Sequence, residues 1–123
     1  MSKDFIQIAN DVIAGIGLLR QGTPDTMKAF GALSAAATGA GALDSKTKEL
    51  MALAIGIAVH CDGCVAYHTK MAHQHGATKQ EVLETVALAI YMGGGPAVVY
   101  GADALRAQEQ FAGQGAKSQS PSA

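Results

Sequence analysis

Four residues in this chain have the types and spacing for redox chemistry: Cys61, Cys64, His68 and Glu49. The cysteines form a C-x-x-C, Cys61-Asp62-Gly63-Cys64. Two intervening residues at the start of a helix let the sulfurs come within bonding range after a modest rotation. A helix N-terminus offers unpaired N–H groups and partial positive charge, which favour a thiolate over a thiol. The thiolate is the species that attacks a disulfide or a peroxide. His68 lies four residues after Cys64, one helical turn away on the same face. A neutral imidazole there could take the thiol proton, and an imidazolium could stabilise the thiolate. Asp62 opposes a second negative charge, to an extent set by where its side chain points.

Glu49 stands early in an otherwise apolar run, beside Leu50 and Met51. Along one helix it is about 18 Å from Cys61, too far to act on the sulfurs directly. If the helices on either side of Cys61 form an antiparallel hairpin, His68 folds back toward Glu49, with a water between them. The expected device is a relay in which Glu49 orients and charges His68, and His68 serves the cysteine pair.

Other readings of the same residues stay open. A C-x-x-C by itself fits redox chemistry, metal binding or coincidence. Cys61, Cys64, His68 and His60 or His73 would supply enough ligands for zinc, although these ligands crowd one turn and one helix. Glu49 would also be welcome as a plain carboxylate in a first turn. His60, His73 and His75 read as surface or helix-end residues. Tyr67 reads equally as site lining or as core. Met27, Met51, Met71 and Met92 look like packing.

The elements that must hold these residues are helical nearly throughout. Phe5, Ile8, Val12, Ile16 and Leu19 recur at spacings of three and four, one face of an amphipathic helix. Thr23-Pro24-Asp25 starts a second helix with a cap hydroxyl, a proline and an acid in the first turn. That helix runs through Met27, Phe30 and Leu33 and fades in the Ala/Gly stretch 34–42. Asp44 or Ser45 caps a third helix carrying Glu49 to Val59. A fourth spans about Cys64 to His75 and stops at Gly76. Thr78 and Glu81 form a capping box that opens a fifth. Gly93 to Pro96 ends it, and Pro96 can start a sixth. Strand alternation with hairpin turns is absent from the sequence. The expected architecture is all-α: a single bundle of about six helices over residues 1–112, followed by a flexible tail over 113–123.

Composition bounds the rest. A chain of 123 residues has room for one domain and one core without staples. Nine Lys and Arg against ten Asp and Glu give a formal net charge of −1, so a general nucleic-acid binder is not expected. Two cysteines are too few for a secreted disulfide scaffold. The N-terminus has no cationic segment leading into an apolar run, so no signal peptide is expected. The uncharged segment Thr85 to Ala102 is broken by Gly93-Gly94-Gly95-Pro96, which argues against a membrane span. A cytoplasmic protein is expected. There is no Trp, while 24 Ala and 15 Gly are present. Side chains this small bury little area each, which points to closely packed helices and to further burial by self-association. Ala52, Ala54, Gly56 and Ala58 are expected to let the Glu49 helix approach the Cys–His helix.

Glu49, then Cys61-x-x-Cys64, then His68 resembles the signature of the alkylhydroperoxidase D-like, or carboxymuconolactone decarboxylase, superfamily. The resemblance covers about residues 40 to 100. It includes Gly41-Ala42-Leu43-Asp44 before the Glu-bearing helix and Gly76-Ala77-Thr78 with Glu81 after the His-bearing one. It implies an all-helical fold that assembles as homo-oligomers, often trimers or hexamers. It also implies a peroxidase or disulfide reductase in which Cys61 and Cys64 cycle between dithiol and disulfide. Cys64 would meet the peroxide, Cys61 would resolve it, and His68 and Glu49 would form the relay. Some members carry a histidine just before the second cysteine; here that position is Gly63. No flavin, haem or phosphate-loop motif is visible, so no bound cofactor and no metal is expected. A thiol donor such as a dihydrolipoyl protein would reset the pair. The decarboxylase branch, acting on a lactone carboxylate, is the main enzyme alternative. A non-catalytic zinc-binding or oligomeric interaction protein is the other.

Overall fold

The computed structural model describes residues 3–119, with side chains through residue 114. Six helices follow in order: α1 (Phe5–Gly22), α2 (Pro24–Thr38), α3 (Ser45–Ala58), α4 (Asp62–Gln74), α5 (Lys79–Gly93) and α6 (Gly95–Gln119). Among the described residues there is no strand. The all-α, six-helix expectation holds. α6 continues through residues 113–119 of the segment expected to form the tail; the rest of that segment, 120–123, lies outside the described residues.

The helix starts follow local chemistry, except that Thr23, expected to cap α2 with its hydroxyl, makes no side-chain cap hydrogen bond. Asp4 accepts from the Gln7 N–H at 3.0 Å and Asp44 from the Thr47 N–H at 2.7 Å, each satisfying an orphan donor of its first turn. At α5 the capping box is complete: Thr78 Oγ1 accepts from the Glu81 N–H, and Glu81 accepts from the Thr78 N–H. α4 begins two residues before its sequence estimate. Cys61 is its N-cap, with the sulfur taking the place of the usual cap oxygen. Turns supply the stops. Gly76 and Gly94 take positive φ (86° and 72°), as glycine does without strain. His60 takes φ 60°, a left-handed conformation unusual for a non-glycine residue, and it closes α3 immediately before the cysteines.

The core joins the first half of α1 to α3, α4, α5 and α6. Phe5, Leu53, Ile57, Val65, Val82 and Phe111 supply its larger side chains. Six of its thirteen buried members are alanines, so the helices sit close and each contributes little area. α3 and α4 form the most extensive helix pair. At their crossing a Cβ on Gly56 would lie 2.9 Å from Cys64 Cβ. Among the four small residues expected to permit that approach, Gly56 packs directly against Cys64. Ala58 is exposed, because α3 ends there. α2 buries no residue at all and lies as an arm against α1, touching α3 only lightly. Gln110 on α6 holds the start of α1 by accepting from the Phe5 N–H at 2.7 Å and donating to the Lys3 carbonyl at 2.9 Å. That clamp lays α1 across α4, where Val12 meets Gly63. Among the described residues no helix is long and apolar enough to cross a membrane.

Candidate functional site

Cys61 and Cys64 are joined as a disulfide at the N-terminus of α4, with their Cα atoms 5.2 Å apart. The two sulfurs are not equivalent. Cys61 Sγ accepts from the Cys64 N–H at 3.1 Å, in the position of a helix cap. Negative charge on Cys61 would therefore be stabilised by that N–H and by the helix dipole. Cys64 stands inside the helix, one turn before His68 on the same face.

His68 Nδ1 and Glu49 Oε2 are 2.8 Å apart. The sequence estimate of an intervening water is corrected by this direct contact. The close approach at Gly56 explains it. Gly56 lies seven residues after Glu49, almost two full turns, so both face α4. Gly56 sits under Cys64, and the longer glutamate side chain reaches back to His68. Glu49 is 4% exposed. A buried carboxylate needs a partner, and here the partner is the imidazole. Holding Nδ1 on the carboxylate leaves Nε2 as the ring nitrogen free to exchange a proton with a reacting group. His68 is half-buried and edge-on to Tyr67, with ring centroids 5.2 Å apart.

Asp62 has an ion pair of its own. Its carboxylate accepts from Lys3 Nζ at 3.0 Å, and the same ammonium reaches Asp103 at 2.8 Å. The Lys3 ammonium is held above its ordinary pKa, chiefly by the Asp103 hydrogen bond and then by Asp62. The negative charge expected to oppose thiolate formation thus has its own counterion. His60 is exposed and stacks on Tyr100 at 5.0 Å, so it is a surface residue as expected. Among the described residues, no group of three or more His, Cys, Asp or Glu converges to hold a metal ion. Met51 and Met92 are exposed, not packed in the core of this chain.

The disulfide opens onto a cavity of about 490 Å³ between α1, α2 and α4, within the range of small-molecule sites. Val12, Ile16, Met27 and Phe30 form most of its apolar wall, and Tyr67 lines it beside the catalytic candidates. From the sequence, Met27 reads as packing and none of the other α1 and α2 residues is assigned to a site. One signal was present: Arg20 continues the i, i+4 series of Val12 and Ile16, placing a cation on an otherwise apolar stripe. The vacancy before Cys64 also gains a physical account, because a Cβ on Gly63 would come within 2.9 Å of Val12 Cγ2.

Comparison with known proteins places this geometry. An uncharacterized protein of Cupriavidus necator is 38% identical over 105 residues, covering 85% of this chain and 93% of the relative. A crystal structure of a carboxymuconolactone decarboxylase family protein from Legionella pneumophila matches with a TM-score of 0.84 and 44% identity, covering 87% of this chain and 96% of that one. A Thermotoga maritima protein of the same family, for which involvement in an antioxidative response has been suggested, matches with a TM-score of 0.76 and 28% identity, covering 98% and 100%. The model of the carboxymuconolactone decarboxylase family itself matches residues 24–107, which include Glu49, both cysteines and His68. The chain that holds a Cys61–Cys64 disulfide beside a Glu49–His68 pair therefore belongs to the carboxymuconolactone decarboxylase family.

Proposed function

We propose that the protein is a thiol-dependent peroxidase or disulfide reductase that works through a Cys61/Cys64 dithiol–disulfide cycle. The observation that carries this reading is the disulfide at a helix N-terminus, one turn from a histidine bonded to a buried glutamate. In the reduced state His68 takes the Cys64 thiol proton. The Cys64 thiolate attacks the outer oxygen of a hydroperoxide; an S–O bond forms and the O–O bond breaks. The departing alkoxide takes the proton from His68 and leaves as an alcohol. Cys61, deprotonated at the helix cap, then attacks the Cys64 sulfur. The S–S bond forms, the S–O bond breaks, and hydroxide leaves with the Cys61 proton as water. Two thiols supply the two electrons that the peroxide accepts. A dithiol donor, such as a dihydrolipoyl protein, returns them. Such a cycle fits a compartment that supplies thiol reductant, such as the cytoplasm.

A homo-oligomer, trimer or hexamer, belongs to the same proposal. Supporting it, large apolar side chains stand exposed on α3, α5 and α6, with Tyr91 at 81% and Met92 at 75%. Where such side chains are contiguous they favour association.

The test is a thiol titration of the reduced protein before and after one equivalent of peroxide. Loss of both thiols, restored by a dithiol, is the expected result. Cys64→Ser should abolish turnover, and Cys61→Ser should accumulate a mixed disulfide with the thiol donor. Full thiol-dependent peroxide consumption by both single variants would overturn the reading. Release of carbon dioxide from a carboxylated lactone would favour the decarboxylase alternative.

A further inference from the structure

We propose that the cavity beside the disulfide selects organic hydroperoxides that carry a carboxylate remote from the hydroperoxide, and that Arg20 is the carboxylate anchor. This rests on the peroxidase reading and names the substrate class of that same site. The cavity has two chemically different ends. At one are the disulfide and His68, against which Gly63 packs on Val12. At the other is Arg20, eight residues further along α1 and about 12 Å along its axis. Between them Val12, Ile16, Met27 and Phe30 present hydrocarbon. Hydrogen peroxide has nothing to bury against such walls, whereas an alkyl chain gains about 25 cal/mol for each Å² removed from water.

Apart from His68, whose imidazole is bonded to Glu49, Arg20 is the only basic side chain among the described residues lining the cavity. No carboxylate pairs with it among the described residues. Its place in the last turn of α1 favours a cation at the helix end. That does not account for its lying, with Val12 and Ile16, on the stripe that lines the cavity. A guanidinium presents a planar fork that matches a carboxylate with two hydrogen bonds. The site would therefore read both ends of an amphipathic acid: the hydroperoxide at Cys64 and the carboxylate at Arg20.

The experiment compares three hydroperoxides on the reduced full-length protein: that of linoleic acid, its methyl ester, and tert-butyl hydroperoxide. The acid is expected to exceed the ester in kcat/KM by about tenfold, the usual scale of one charge-assisted contact at a partly exposed site. Arg20→Gln should bring the acid down to the value of the ester, and Arg20→Lys should retain part of the preference. A second readout avoids turnover: decanoate should bind the oxidised wild type about tenfold more tightly than the oxidised Arg20→Gln protein. Thermal melting of each variant verifies its fold. Equal turnover of acid and ester by the wild type, or a preference that survives Arg20→Gln, would overturn this proposal alone. Consumption of none of the three would overturn the peroxidase reading on which it stands.

Discussion

Replacing Gly56 with alanine tests whether the helix crossing at that residue sets the geometry of the site. A Cβ there would come 2.9 Å from Cys64 Cβ and 3.5 Å from the Cys64 carbonyl carbon and the Val65 nitrogen. The first distance is shorter than real Cβ contacts. The atom it meets is fixed to the α4 backbone, not the far end of a flexible chain, so α3 and α4 must move apart. Overpacking of this kind costs about 1–3 kcal/mol. Alanine also gains about 0.5–1 kcal/mol over glycine inside any helix. The proper reference is therefore Gly17→Ala on α1, where nothing lies within 4 Å. The propensity gain cancels between the two variants and leaves the steric cost. For a chain of this size the Gly56 variant should melt about 4–12 °C below the Gly17 variant. Separating the helices also stretches the 2.8 Å contact between Glu49 and His68, so peroxide turnover should fall in Gly56→Ala and not in Gly17→Ala. Melting followed by circular dichroism and thiol-dependent peroxide consumption are the two assays. If Gly56→Ala melts as high as Gly17→Ala, the close approach at Gly56 does not constrain the site.

Glu49→Gln and His68→Gln should each move the pH profile of thiol alkylation in the reduced protein toward higher pH, because the thiolate loses its imidazolium support; an unmoved profile would count against the relay. Thr78→Ala should cost about 1 kcal/mol by removing the α5 cap, read as a lower midpoint in urea. Asp44 is held below the usual carboxylate range by its hydrogen bonds from Thr47, and Glu81 by its bond to Lys46. Depressed folded values mean that their stabilisation is present above the ordinary carboxylate range and is lost as pH falls through the folded values. Asp44→Asn and Glu81→Gln should therefore flatten the acid limb of stability, with no change in its slope counting against those contacts. Light scattering at micromolar concentration should report an oligomer, and a stable monomer would argue against self-association.

The helices were legible in the sequence because their signals are local. The apolar stripe of α1, the Asp44 cap and the Thr78–Glu81 capping box depend on residues three or four apart, which any helix brings together. The four candidate residues were legible for the same reason, except for their link. Sequence spacing put Glu49 out of reach of the sulfurs, and a hairpin had to be assumed to bring it to His68. Whether a water stood between them depended on how closely two helices could pack, and Gly56 decided that in favour of direct contact. The role of Cys61 as a helix cap required the true start of α4. The pairing of Asp62 with Lys3 required a contact between residues 59 positions apart.

By itself the sequence determined the fold class, the order of the helices and the set of candidate site residues, since periodicity, caps and the C-x-x-C are short-range patterns. Only the tertiary structure decided what surrounds them. It laid α1 and α2 over the disulfide to make a cavity, turned Arg20 toward that cavity, and gave Asp62 a counterion. These outcomes come from packing between helices distant in the chain. Residue spacing carries no record of which helix faces will meet.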